Sequence, residues 1–273
     1  MSTQFQTVSV SVDNSVGWLR LNRPERANAL DMQMWKELPL AVKWMHDQPG
    51  VRAVVLRGEG KHFCSGIDIS VVSELEKIVT VPGCAGRARE NVITFIELAQ
   101  AAFTSLEELR VPVIAAIHGA CIGGGIDLAA ACDIRLAADV STFCIKEIDL
   151  AIVPDAGTVQ RLRHVIGYSS LVELTYTAES FGADRARELG LVSRVLGSPE
   201  ELFSAAATMA SAIAAKSPLT VRGIKRNLLW SREHNVRDGL GYVAAWNGNM
   251  LISDDTMEAI SAQSQKRPAS YRD

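Results

Sequence analysis

The most constraining stretch of this chain is VIAAIHGACIGGGIDLAAAC, residues 113–132: five apolar residues, a turn carrying three consecutive glycines, and a short apolar segment. Val113, Ile114 and Ile117 give the first part the β-branched content of a buried strand, and residues 126–132 read as a short helix. A strand, a glycine turn and a helix in succession leave backbone N–H groups free at a positive helix N-terminus, where an anion or a developing oxyanion is favoured. The same glycines would equally serve close packing of helix against strand, so the turn alone assigns no chemistry.

A second turn of this kind lies upstream. Residues 53–56 form an apolar strand that runs through Gly58 and Gly60 into HFCSGIDIS, where Ser65 and Gly66 precede Ile67, Asp68 and a helical pattern over 71–79. Two such turns, each after a buried strand, could each supply one N–H to a single oxygen, which is the usual construction of an oxyanion hole.

The remaining pattern is that of a layered α/β protein. Val8, Val10 and Val12 alternate with serines, a turn follows at residues 13–15, and residues 16–21 are again strand-like, so the chain opens with a hairpin. The loop NRPERANAL leads to a helix capped by Asp31, with Met34, Leu38, Val42 and Met45 on one face and a bend expected at Pro39. A break at residues 81–86, rich in Pro and Gly, precedes a long helix over 87–109 and fits a mobile wall beside the site or, equally, a plain connector. Two more strands are expected at 133–137 and 142–145. Helices dominate afterwards, over 183–189, 199–216, 218–230, 238–252 and 254–266, which divides the chain into an α/β core, residues 1–197, and a helical region, residues 198–273. Apolar residues in excess of what a thin layer can bury, among them Trp230, Trp246, Met250, Leu251 and Ile252, point to self-association.

Three acids around the central turn carry the candidate chemistry. Asp127 lies one helical turn beyond the glycines; Glu147 follows an alternating strand and precedes the apolar loop 150–154; Asp155 closes that loop. Acids at strand ends commonly cap helices or face water, but burial against an apolar loop raises a carboxyl pKa toward general-base duty. Three carboxyls converging on one cleft repel one another, so at least one should hold a proton near neutrality. Ser65 and Cys64 have only His62 near them in sequence, which leaves no nucleophile with a paired base. His62 and His118 read as structural hydrogen-bonding groups, and Asp133 and Asp139 as caps or acceptors of backbone hydrogen bonds.

Bulk properties exclude several classes. With 28 Lys and Arg against 31 Asp and Glu, a net charge of −3 and no basic stripe, nucleic acid is not an expected partner. No apolar run reaches membrane-spanning length. Five cysteines without a CxxC pair argue against a disulfide framework and a zinc site and for a reducing compartment, here the cytoplasm, and the C-terminus is not an SKL-type address.

Taken in order, NRPERANAL, HFCSGIDIS, HGACIGGGIDLAAACDIRLAA and VPDAGTVQRL resemble the crotonase (enoyl-CoA hydratase/isomerase) superfamily, colinearly from about Val8 to Val195 and more loosely beyond. The resemblance implies a crotonase-like spiral of repeated β-β-α units with a C-terminal helical trimerisation region. It also implies a homotrimer or dimer of trimers, an acyl-CoA thioester substrate, and no cofactor besides the coenzyme A of the substrate. It places the oxyanion-hole amides at Ile67 and Gly124, and Arg26, Ala27, Ser65, Gly66 and Asp68 in segments that line the CoA cleft. Enoyl-CoA hydratases carry glutamate at the positions of Asp127 and Glu147 and glycine at that of Asp155. The GGG-x-D, K-E-x-D and D-x-G-T-x-Q-R-L motifs here resemble instead the Δ3,5-Δ2,4-dienoyl-CoA isomerases, although Val153 and Pro154 look more like the hydratase loop. The expected roles are Glu147 at C2 of the acyl chain, Asp155 at C6, and Asp127 as their support; hydration of an enoyl-CoA, or another crotonase-type acyl-CoA reaction, is the alternative.

Overall fold

A computed structural model of the protein describes residues 5–80 and 83–273. Val81 and Pro82, in the expected break at 81–86, lie outside the described residues. The frame is a six-stranded sheet in the order β1-β2-β3-β4-β6-β9. Strands β1 (Val8–Asp13) and β2 (Val16–Leu21) form the expected antiparallel hairpin. From β2 onward, β3 (Ala53–Gly58), β4 (Val113–Ile117), β6 (Ile134–Ala138) and β9 (Arg194–Leu196) pair in parallel.

A parallel sheet must be covered on both faces, and side chains alternate between them along each strand. Leu19, Leu21, Val54, Leu56, Val113, Ala115 and Ile117 pack into the larger core, against α1 (Met32–Asp47) and α3 (Ala85–Glu108) among others. Their neighbours Val16, Ala53, Val55, Ile114, Ala116 and Leu136 face a second core, closed by Leu202, Ala206 and Ala210 of α8 (Pro199–Ala214). Thus α8, although it belongs to the segment read as a helical region, spends its apolar face on the sheet. The helices that stand away from the sheet are α9 (Pro218–Glu233), α10 (Val236–Met250) and α11 (Asp254–Ser264). Lys225 of α9 is nevertheless buried, donating to the Val111 carbonyl (3.1 Å) and to Asp133 (2.8 Å), which in turn accepts from the Val113 amide (2.7 Å).

Asp31 caps α1 by accepting from the Met34 amide at 2.8 Å, and the helix continues through Pro39. A second, three-stranded sheet, β5 (Ala120–Ile122), β7 (Thr142–Cys144) and β8 (Phe181–Gly182), stands beside the first. It carries the chain away from β4 and creates the site. All five cysteines are unpaired; Cys64, Cys121, Cys132 and Cys144 are buried and Cys84 is exposed.

Candidate active site

The two glycine turns leave from the carboxyl ends of adjacent parallel strands, β3 and β4, where open α/β sheets form their ligand crevices. Backbone hydrogen bonds zip them together: the Cys64 amide donates to the Ala120 carbonyl (2.9 Å) and the Ile122 amide to the Cys64 carbonyl (3.0 Å). His62 and His118 both serve this junction. His118 is buried with Nε2 at 3.0 Å from the Gly60 carbonyl, and His62 Nδ1 accepts from the Ala120 amide at 3.1 Å.

Each turn needs its glycine. Gly66 has φ +98°, a region L side chains rarely adopt, and a Cβ there would sit 3.0 Å from the Ile122 carbonyl oxygen. A Cβ on Gly125 would lie 2.6 Å from the Cys64 carbonyl oxygen, so the start of α4 (Gly124–Ala131) can approach the first turn only without side chains. The position a Cβ would take on Gly66 is 3.8 Å from the Gly124 nitrogen. Among the described residues, neither the Ile67 nor the Gly124 amide has a protein acceptor. Two free donors on adjoining turns, one at a helix N-terminus, form an electropositive notch.

That notch opens into a cavity of about 330 Å³. Its wall is mostly apolar, with Trp35 of α1, Leu75 of α2 (Ser70–Val79), and Phe95, Ile96 and Phe103 of α3. Trp35 and Phe95 meet edge to face at 5.4 Å. All three acids line this cavity.

Asp127 is 3% exposed on α4, where its Oδ1 accepts from the Thr158 hydroxyl at 2.7 Å. Burial pushes its carboxyl up to about 7, against the lowering effect of that hydrogen bond. Glu147 opens a 3-10 turn, Glu147–Leu150, with Oε1 beside Gly123. Its Oε2 is buried without a partner, and burial first, then the charge of Asp155, raises its pKa. Asp155 stands at the mouth; partial burial raises its carboxyl too. Its backbone carbonyl accepts from Gln100 of α3 at 2.6 Å.

The segments assigned to the CoA cleft divide. Ser65 and Gly66 line the cavity, and the Ser65 amide donates to the Ala27 carbonyl at 3.1 Å. Arg26 is exposed nearby. Asp68 does not line the cavity; its carboxylate accepts from the Ser70 amide (3.0 Å) and from Arg23 (2.9 Å), which also pairs with Asp31 (3.2 Å). The Ser70 amide, with Arg23, holds that carboxyl below its ordinary value. Cys64 offers no nucleophile, since burial pushes its thiol up to about 12.

Thr158 and Arg161, on the short helix α5 (Thr158–Leu162), were not singled out in the sequence as site residues. Their signal in the sequence is their place in the D-x-G-T-x-Q-R-L motif, which gives neither of them a partner.

Two unpartnered amides at the carboxyl edge of a parallel sheet, sharing an apolar cavity with three acids, define a class of α/β enzyme that stabilises an oxyanion while moving protons. The sequence profile described as enoyl-CoA hydratase/isomerase matches residues 11–273. The chain is 48% identical to the peroxisomal Delta(3,5)-Delta(2,4)-dienoyl-CoA isomerase of Arabidopsis thaliana, covering 96% of this chain and 95% of that protein. It is 42% identical to the mitochondrial Delta(3,5)-Delta(2,4)-dienoyl-CoA isomerase of Mus musculus, covering 96% and 81%. A crystal structure of enoyl-CoA hydratase from Bacillus anthracis superposes with a TM-score of 0.87 at 31% identity, covering 98% of this chain and 99% of that one. This chain belongs to the enoyl-CoA hydratase/isomerase family.

Proposed function

We infer that the chain is a Δ3,5-Δ2,4-dienoyl-CoA isomerase. The observation that carries this reading is Asp155: a third carboxyl opening into the same apolar cavity as Glu147, with Glu147 Oε2 left without a partner. The similarity to the plant and mouse isomerases supports it. With the thioester oxygen held by the Ile67 and Gly124 amides, Glu147 takes the proton from C2. The C2–H electron pair enters the conjugated system as negative charge on that oxygen. It returns through the chain to form a new C–H bond at C6 with the proton of Asp155, leaving double bonds at C2 and C4. Burial first, and then the charge of Asp155, raises the proton affinity of Glu147, and the cycle uses one proton on the pair, carried by Asp155 before turnover and by Glu147 after it. That single proton serves the reaction in both directions. Asp127 supports the pair electrostatically from below.

Residues 198–273 form an oligomerisation region in which α8 is committed to the sheet. The exposed Leu228, Leu240, Leu251 and Ile252 on and after α9 and α10 cover one another in a homotrimer or a dimer of trimers. The unpaired cysteines suit a reducing compartment such as the cytoplasm. No helix of the described residues is long and apolar enough to cross a membrane.

The test is a 3,5-dienoyl-CoA substrate given to wild type and to Asp155→Asn. Wild type should develop the absorbance of a 2,4-dienoyl thioester, and the variant should bind the ester while losing about 10²–10⁴ in rate, the scale of a general acid. Conversion of a 2-enoyl-CoA to its 3-hydroxy product, without action on the diene, would overturn the reading in favour of a hydratase.

A further inference from the structure

Asp155 sits at the end of an exposed loop, yet a proton must be delivered to one carbon atom with near-contact accuracy. Something must aim it. The turn that follows it, through Ala156 and Gly157, is held from inside by one side chain. Arg161 is 9% exposed and donates from Nη1 to the Ala156 carbonyl (3.0 Å), from Nη2 to the Thr104 hydroxyl (2.9 Å) and from Nε to Glu107 (3.2 Å). Gly157 makes room for this: it has φ +120°, and a Cβ there would collide with the guanidinium. Glu107 also accepts from Arg232 of α9, so the clamp is anchored to α3 and α9 rather than to the loop it restrains.

Resting on the assignment of Asp155 as the C6 acid, we propose that Arg161 is a positioning residue for that acid. Its guanidinium fixes the Ala156 carbonyl, and through it the direction of the preceding side chain, using Glu107 and Thr104 as its footing. A planar fork with donors on three sides can hold a carbonyl, a hydroxyl and a carboxylate at once; an ammonium on a flexible stem cannot hold all three in fixed directions. This accounts for the spacing of Asp155, Gly157 and Arg161 as one device: an acid, a position without a side chain, and the group that occupies the vacated space. It also separates two duties on α5, since Thr158 bonds Asp127 while Arg161 bonds the turn that bears Asp155.

The test uses Arg161→Lys, which keeps the positive charge beside Asp127 and removes the fork. Diene isomerisation should slow by up to about 10²-fold, the scale of a misplacement near 1 Å, with KM little changed. Because C6 protonation then becomes the slow step, the kinetic isotope effect from 2,2-dideuterated substrate should shrink and the solvent isotope effect should grow. Glu107→Gln, which leaves Arg161 in place and weakens its footing, should shift both isotope effects the same way with a smaller rate loss. It also serves if the lysine variant does not fold. A fall in rate with both isotope effects unchanged would mean a scaffold role only and would overturn the proposal, as would unchanged kinetics in both variants. Asp155→Asn run alongside separates the two ideas: full activity in that variant removes the reading of Asp155 itself, whereas its loss together with normal Arg161 variants removes only the clamp.

Discussion

Ile67 and Gly124 meet because two turns are zipped together by main-chain hydrogen bonds, whereas Asp127, Glu147 and Asp155 reach the same cavity through side chains carried by three separate segments. The amide side is fixed by strand register and by glycines that tolerate no Cβ, so it can change little without undoing the junction of the two sheets. The acid side can gain, lose or shorten a carboxyl with little effect on the backbone. A common oxyanion notch and an interchangeable set of acids is therefore the economical way for one fold to host several proton-moving reactions.

This contrast can be broken from either side. The largest effect is expected on the acid side, where Glu147→Gln should reduce diene turnover by about 10²–10⁴-fold while a dissociation constant for an unreactive acyl-CoA thioester stays close to wild type. On the amide side, Gly66→Ala should misplace the Ile67 donor and cost about 10²–10³ in kcat, as removal of one oxyanion donor does. Here, unlike Glu147→Gln, stability should fall as well, measurable as a lower Tm, because φ is +98° at this position. If Gly66→Ala proved as stable and active as wild type, the two sides would not differ in the way described.

Asp127→Asn addresses stability and activity in opposite directions. The carboxyl of Asp127 is raised by burial to about 7, so between its unfolded value and about 7 the folded chain holds a proton that the unfolded chain has released. Folding stability contributed by this group is therefore intact in acid and declines as pH rises toward 7. At pH 8 the asparagine variant should be more stable to unfolding than wild type, by at most about 4 kcal/mol at ~1.4 kcal/mol per pKa unit, with the advantage gone near pH 4. Diene activity should fall at the same time. The smallest effect is expected for Thr158→Val, which leaves a buried carboxylate oxygen without its donor. Denaturant unfolding should show a loss of about 1–3 kcal/mol, and the Asp127 titration should move to higher pH.

The two sides also differed in how much of them could be read from the residues alone. The strands β3 and β4, both glycine turns, the Asp31 cap and the long helices follow from apolar periodicity and turn chemistry. Asp127, Glu147 and Asp155 stood out as acids beside apolar segments, and all three line one cavity. The three-stranded sheet was not legible as such: β5 is three residues between glycines and β8 only two, too short for any period to show. Likewise α8 is plainly helical, but nothing in Leu202, Ala206 and Ala210 says that they cover a sheet rather than another helix. Partnerships across long separations were equally silent. Arg23 with Asp68, 45 residues apart, braces a loop, and Arg161 with Glu107, 54 apart, gives the arginine of the D-x-G-T-x-Q-R-L motif a partner that the motif does not name.

The burial of four of the five thiols has a practical consequence. Cys64 and Cys132 are held un-ionised up to about 12, Cys121 and Cys144 are also raised, and only Cys84, at the start of α3, is both exposed and lowered, by backbone amides of Arg87 and Gly86. Alkylation of the native protein should therefore stop at one equivalent. Each further equivalent marks an opening of the interior, and because Cys64 and Cys121 lie at the seam of the two glycine turns, their labelling rate is a clock for the integrity of the oxyanion notch that needs no substrate.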